Sequence, residues 1–219
     1  MLRATDSRLR LIRSAKDLFY AHGYNAVGVK EICDRAGVNK GSFYHFFPSK
    51  RELLIAVIES HAEWLGAVMQ EAARPDLPAL ERVRRLFTLI GRFDGDVRRR
   101  LGHVVGCPFG NLAAELSSQD ETVRRKIDGV FSHGISFIET QLEEAIAAGQ
   151  IEAIDTTVAA QGILAYLEGT HLLAATRDSP DLVAELSDGA LRLAGVRPIA
   201  EDRDPDKPGD ENDSQAGQA

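Results

Sequence analysis

An all-α protein is the expectation for this chain of 219 residues, and three observations predict it. Apolar residues recur at helical spacing in one stretch after another. Strand-like alternation of apolar and polar residues does not recur. Residues that start or stop helices, among them Gly23, Asn39, Ser49, Pro108 and Asp155, stand at the ends of those stretches. The length allows a sizeable core and one or two domains. No segment has the apolar length of a membrane span, and the N-terminus lacks the apolar core of a leader peptide. Two cysteines, Cys33 and Cys107, make no disulfide framework. That usage fits a reducing compartment, so a cytoplasmic location is expected.

The first helix is expected from about Asp6 to His22, with Leu9, Ile12, Ala15 and Phe19 as its apolar stripe beside Leu11 and Leu18. Arg8, Arg10 and Arg13 near its start either reach phosphates or form a solvated face. A short helix with Ile32 and Ala36 turned inward then stops at Gly37, and Val38 plugs the turn. Asn39 suits the N-cap of a second short helix, about Lys40 to Phe46, because its side chain accepts from orphan amides of the first turn. That helix offers Lys40, Ser42, Tyr44 and His45 to the outside, groups suited to phosphates and base edges. This is the punctuation of a helix-turn-helix, whose second helix lies in the major groove.

The stretch resembles the TetR family of bacterial transcriptional regulators. The matching residues are Gly23-Tyr24, Ile32, Ala36-Gly37-Val38, Lys40-Gly41, Phe43-Tyr44-His45, Phe47, Ser49-Lys50 and Leu53. The resemblance implies an N-terminal three-helix DNA-binding module over 1–52 and a C-terminal helical domain for ligand binding and dimerisation over 53–199. It implies DNA contacts at Lys40, Gly41, Ser42, Tyr44 and His45, and a phosphate contact at Lys50. The chain departs from the pattern at Val27 and Gly28, where the family has Thr and a small polar residue. Gly28 caps weakly, and the hydroxyl contact is lost. A bland alternative follows from that departure: a ligand-binding protein of the same fold without operator binding.

A net charge of −7 suits a DNA binder only when divided along the chain. Residues 1–52 hold ten Lys and Arg against five Asp and Glu, a balance of +5. Residues 200–219 hold two against seven, and their polar, aromatic-free composition reads as a disordered acidic tail. Positive charge sits where the motif sits, as backbone neutralisation requires.

Ser49 and Glu52 have the spacing of a capping box and open a long helix to about Ala73. Lys50 falls in its first turn, where amides already favour an anion. A helix through Leu80, Val83, Phe87, Ile90 and Phe93 follows, and Asp94-Gly95-Asp96 is expected to break it. The basic triplet Arg98-Arg99-Arg100 is read as a solvated face or a contact with acidic neighbours. Helices at about 121–148 and 156–176 come next. The second has an unusually small face at Val158, Gly162, Ala165, Gly169 and Leu172, which permits close helix packing. The resemblance implies a homodimer through these two helices, and a palindromic double-stranded operator with half-sites about 34 Å apart. The alternative is that they form an intramolecular core. A last helix is expected at about Leu182–Ala194.

Gly106-Cys107-Pro108-Phe109-Gly110-Asn111-Leu112 is the second informative segment. Pro108 fits the first helical position, which puts Cys107 at the N-cap, where the dipole draws a thiol toward thiolate. The segment loosely resembles TetR-like regulators that sense electrophiles or small carbonyl compounds. Three readings of Cys107 stand: a packed thiol, an electrophile or redox sensor, and a metal ligand with His103. The third lacks the usual Cys and His cluster, so neither a metal nor a cofactor is expected. An enzyme using Cys107 and His103 lacks an acid partner and an oxyanion loop, so no catalytic residue is assigned. Candidate effector contacts are His61, Trp64, Phe87, Ile90, Phe93, His103, Cys107, Asn111, Phe131, Tyr166 and His171. A mostly apolar lining implies a small apolar or electrophilic effector, and the expected function is a repressor released by it.

Overall fold

Local capping chemistry sets most helix boundaries in the computed structural model, which describes residues 2–193 together with 195 and 196. The expected acidic tail at 200–219 lies outside the described residues. Ten helices and no strand are present among them: α1 (Leu2–His22), α2 (Val29–Ala36), α3 (Lys40–Phe46), α4 (Lys50–Ala72), α5 (Ala79–Leu101), α6 (Pro108–Leu116), α7 (Glu121–Ala147), α8 (Thr156–Arg177), α9 (Leu182–Glu185) and α10 (Ser187–Leu193). The side chains of Asn39, Ser49 and Asp155 each accept a first-turn amide of the helix that follows. Gly28 caps α2 in extended conformation without any side-chain bond. Gly37 ends α2 at φ 60, the left-handed conformation that glycine adopts without a Cβ clash.

Two large cores, and a small third one of Tyr20, Val97 and Val105, organise the helices. The first joins Leu11 of α1, Ile32 of α2, Phe43 of α3 and Leu53 of α4 to Phe109 and Leu116 of α6 and to Val123 and Ile127 of α7. It therefore takes in residues from both sides of position 52. Cys33 is buried in it as a packed thiol. Truncating its fully buried Phe43 to Ala costs about 3–5 kcal/mol. The second core holds Leu80 and Phe87 of α5, Ile138 and Leu142 of α7, Ile163 and Leu167 of α8, and Val183 of α9. α7 packs along α8, and α5 lies across α4, α7 and α9.

Three expectations about the helices fail. Asp94-Gly95-Asp96 does not break α5, which runs to Leu101. Asp94 and Val97 are buried one turn apart, and continued packing outweighs a glycine penalty of about 1 kcal/mol. The last helix is two pieces, separated at Leu186. Val183 of the first and Ala190 and Leu191 of the second all bury. Leu9, placed in the apolar stripe of α1, is exposed instead.

Candidate DNA-reading surface and effector cavity

Asn39 Oδ1 accepts the Ser42 amide at 2.8 Å and so fixes the start of α3. Phe43 anchors this helix inward, which turns the opposite face to solvent. Lys40, Gly41, Tyr44 and His45 are exposed there and Ser42 is half-buried. Tyr44 is 51% exposed and rests edge-on against Phe43. A phenol held by its ring edge presents a hydroxyl that nothing in the fold requires. Arg10 Nη1 donates to the Ala36 carbonyl at 3.1 Å, so this arginine braces the turn between α2 and α3. Arg8 lies over the Phe47 ring, and Arg13 is exposed.

Lys50 is placed differently from a free phosphate ligand. Its ammonium donates to the Tyr24 carbonyl at 3.0 Å and the Val27 carbonyl at 2.9 Å, and sits 4.1 Å from the Tyr24 ring centroid. One of its three donors remains for an anion. Burial lowers its pKa, against the nearby Glu115.

α6 lies between the α1–α2 turn and a cavity. Its end carries Glu115, which accepts the Tyr24 amide at 2.9 Å and the Asn25 amide at 2.6 Å. Just beyond it, Asp120 caps α7 and takes two bonds from the Arg51 guanidinium, at 2.5 and 3.0 Å. The Arg51 contact holds the Asp120 carboxyl down at about 2. The basic triplet meets acids: Arg98 pairs with Asp178, Arg99 with Asp96, and Arg100 with Asp17 of α1 at 3.0 Å.

The start of α6 faces the cavity, which holds about 620 Å³ of space between atoms, mouth included. Apolar side chains dominate it: Trp64, Leu65, Met69, Leu86, Ile90, Phe93, Phe109, Val130, Phe131, Ile138, Leu164 and Leu167. Five polar residues break that lining: His61, Asp94, Cys107, Glu168 and His171. His61 stacks on Trp64 at 4.9 Å, and burial, helped by Lys16, lowers its pKa to about 3. Its imidazole is therefore neutral, and its buried Nδ1 has no hydrogen-bond partner. His171 Nε2 lies 3.4 Å from Asp94 Oδ2. Burial raises Asp94 to about 7 and lowers His171 to about 4, which moves both toward their uncharged forms.

Of the residues proposed from sequence, His61, Trp64, Ile90, Phe93, Cys107, Phe131 and His171 line this cavity, and four do not. Phe87 is fully buried in the second core. Tyr166 turns to α10, where a Cβ on Gly189 would stand 2.5 Å from its hydroxyl. Asn111 is exposed, and its amide donates to the Val105 carbonyl at 2.8 Å to hold the loop before α6. His103 is exposed in that loop and does not line the cavity with Cys107. Asp94 and Glu168 went unnoticed in the sequence. The helical register contained them: Leu86, Ile90 and Asp94 are spaced by four, as are Leu164 and Glu168.

Cys107 does cap α6, accepting the Gly110 amide at 3.4 Å. Gly106 delivers it there, with φ 75 and a bare Cα against the His171 carbonyl, where a Cβ would come to 3.3 Å. The expected fall in its pKa does not occur. Burial and the Glu168 carboxyl push the thiol well above its usual range, and the amides of Gly110 and Phe109 oppose them only in part. Burial raises the Glu168 carboxyl above its ordinary range, and its interaction with the Cys107 thiol opposes that only in part.

Known proteins share the sequence pattern and the fold of this chain. Residues 11–57 match the family "Bacterial regulatory proteins, tetR family", and residues 79–189 match "Tetracyclin repressor-like, C-terminal domain". The transcriptional regulator AcuR of Cereibacter sphaeroides is 32% identical over 78% of this chain and 77% of its own. The transcriptional repressor DhaR of Mycobacterium sp. strain GP1 is 26% identical over 67% of this chain and 71% of its own. A TetR regulatory protein from Rhodobacter sphaeroides superposes with a TM-score of 0.74 at 29% identity, over 86% of this chain and 97% of that one. No helix among the described residues is long and apolar enough to cross a membrane. The chain belongs to the TetR family and is a DNA-binding transcriptional regulator with an effector-binding C-terminal domain.

Proposed function

We propose that the protein is a cytoplasmic homodimeric repressor that leaves a palindromic operator when a small apolar or electrophilic molecule enters the cavity. The observation that carries this reading is α6, which touches both ends of the signal. Cys107 and Phe109 at its start line the cavity, and Glu115 at its end holds the backbone ahead of α2. A ligand that displaces the start of α6 favours a state in which the heads fit two successive major grooves less well. Operator affinity falls by the difference in its binding to the two states. Lys40, Gly41, Ser42, Tyr44 and His45 contact DNA, and Lys50 offers its remaining donor to a phosphate.

The small face of α8 supports the dimer. Val158, Gly162, Ala165, Gly169 and Leu172 are all exposed, and nothing lies within 4 Å of a Cβ built on either glycine. Two copies brought together on the faces of α7 and α8 make a four-helix interface and set the spacing of the heads. An electrophile has a direct route at Cys107. With an unsaturated carbonyl effector, the thiol proton passes to Glu168 as sulfur bonds to the β-carbon, the C=C π pair shifts toward the carbonyl oxygen to give an enolate, and the enolate takes up a proton at the α-carbon.

Selection of random double-stranded DNA on the purified protein tests the reading. An enriched palindrome supports it and supplies the probe for effector and thiol-reagent screens. No enrichment at low salt overturns operator binding and leaves a ligand-binding protein of the same fold.

A further inference from the structure

One wall of the cavity carries a donor set that an apolar effector leaves unused. Cys107 Sγ, a Glu168 carboxylate oxygen and an imidazole nitrogen of His171 all lie within 4.8 Å of one another. Two elements bring them together. Cys107 stands at the start of α6, while Glu168 and His171, three residues apart, share a face of α8. Gly110 admits the carboxylate, since a Cβ there would collide with Glu168 Oε2.

His171 is only 5% exposed, and its Nδ1 has no hydrogen-bond partner. Its other nitrogen faces Asp94, whose Oδ2 is also buried without a hydrogen bond. Buried polar groups are normally satisfied, so a buried imidazole with an unpartnered nitrogen, grouped with a thiol and a carboxyl, indicates a missing partner. A carboxylate behind the far nitrogen is the usual means of orienting a metal-binding imidazole.

We propose that Cys107, Glu168 and His171 bind one divalent cation of the zinc class, with the fourth coordination position open to the cavity. The donor set selects the class. A thiolate and an imidazole suit zinc or cobalt, whereas calcium and magnesium require oxygen ligands throughout. Three protein ligands with one open position make a complete tetrahedral site. Bonds of about 2.0–2.3 Å bring tetrahedral ligands to roughly 3.3–3.7 Å from each other, a closure of about 1 Å from the present spread. On binding, the Cys107 thiol loses its proton to solvent, a metal–sulfur bond forms, and metal-bound water is displaced. No electron is transferred. His103, exposed and apart from the cavity, takes no part. The cation site is compatible with a non-covalent organic effector in the apolar remainder, whereas an effector that alkylates Cys107 removes one of its ligands.

The test is a cobalt(II) titration of the reduced, chelator-stripped, full-length protein. One equivalent per chain should produce a thiolate-to-cobalt charge-transfer band and the intense visible bands of a tetrahedral site, both bleached by zinc. Cys107→Ser should remove the charge-transfer band, and Glu168→Gln and His171→Asn should weaken binding at least tenfold. Asp94→Asn, acting through His171, should weaken it by about 10–100-fold. Cys33→Ser and His103→Ala should leave the titration unchanged. No charge-transfer band in the unaltered protein overturns the site, as does a band lost with Cys33 instead of Cys107. Full affinity in both Glu168→Gln and His171→Asn also overturns it, because only a single thiol then remains. Zinc protection of Cys107 from maleimide, read by peptide mass spectrometry on the unaltered protein, is independent of variant folding. Unchanged labelling at saturating zinc counts against the site. Operator binding is read in separate experiments, so loss of the metal site and loss of the regulatory reading are distinguishable.

Discussion

The Glu115 carboxylate of α6 holds the backbone amide of Tyr24 at 2.9 Å, and with it the amide of Asn25. These amides follow α1, where the chain turns toward α2. A charged acceptor on two backbone donors is a strong local tie. Replacing Glu115 by Ala is expected to lower stability by about 1–3 kcal/mol and to weaken operator binding, because the turn loses its anchor. Chemical denaturation and operator titration check the two effects together.

Lys50 has an internal role beside the one proposed for it on DNA. Lys50→Ala is expected to cost about 1–3 kcal/mol through the Tyr24 and Val27 carbonyls. It should also reduce the slope of log affinity against log salt by about 1. Loss of stability with an unchanged slope would leave Lys50 a purely structural tie.

Tyr44 is exposed and contributes little to packing. Tyr44→Ala is expected to leave the melting temperature unchanged while weakening the selected operator by about 1–3 kcal/mol. Equal binding of operator by the variant and the parent would remove Tyr44 from the reading face.

His61 makes stability depend on pH in a defined direction. Its folded pKa of about 3 lies below the unfolded value of about 6.5, so the unfolded chain takes up the proton first. The His61 contribution is therefore fully present above about pH 6.5, is lost as pH drops toward 3, and changes little below that. The loss has an upper limit of about 5 kcal/mol. His61→Phe, which keeps the aromatic packing on Trp64, should flatten this part of the profile in urea titrations at a series of pH values.

Leu172 is 69% exposed on the small face of α8. Leu172→Glu is expected to preserve helicity by circular dichroism, shift the protein from dimer to monomer in light scattering, and abolish tight operator binding. A dimer that persists would move the interface elsewhere.

Much of the architecture was legible because its signals are local. A cap acts over three residues, so Asn39, Ser49 and Asp155 announce the helices behind them, and Pro108 with Cys107 announces α6. Periodicity likewise placed α1, α4, α7 and α8 to within a few residues. The same locality misled at Asp94-Gly95-Asp96, where composition signals a break but packing against distant helices carries α5 onward.

By itself the sequence determined the helical class, the helix-turn-helix with its outward polar side chains, and the family. All of these rest on residues within a turn or two of one another. Tertiary structure alone decided which residues face the cavity. It turned Tyr166 onto Gly189, left His103 outside, and buried Asp94 beside His171. It also reversed the expectation for Cys107. The helix end that favours thiolate is local, but the burial and the Glu168 carboxyl that outweigh it come from a helix about 60 residues away. Burial and pairing are sums over neighbours distant in the chain, and only the folded packing sets them.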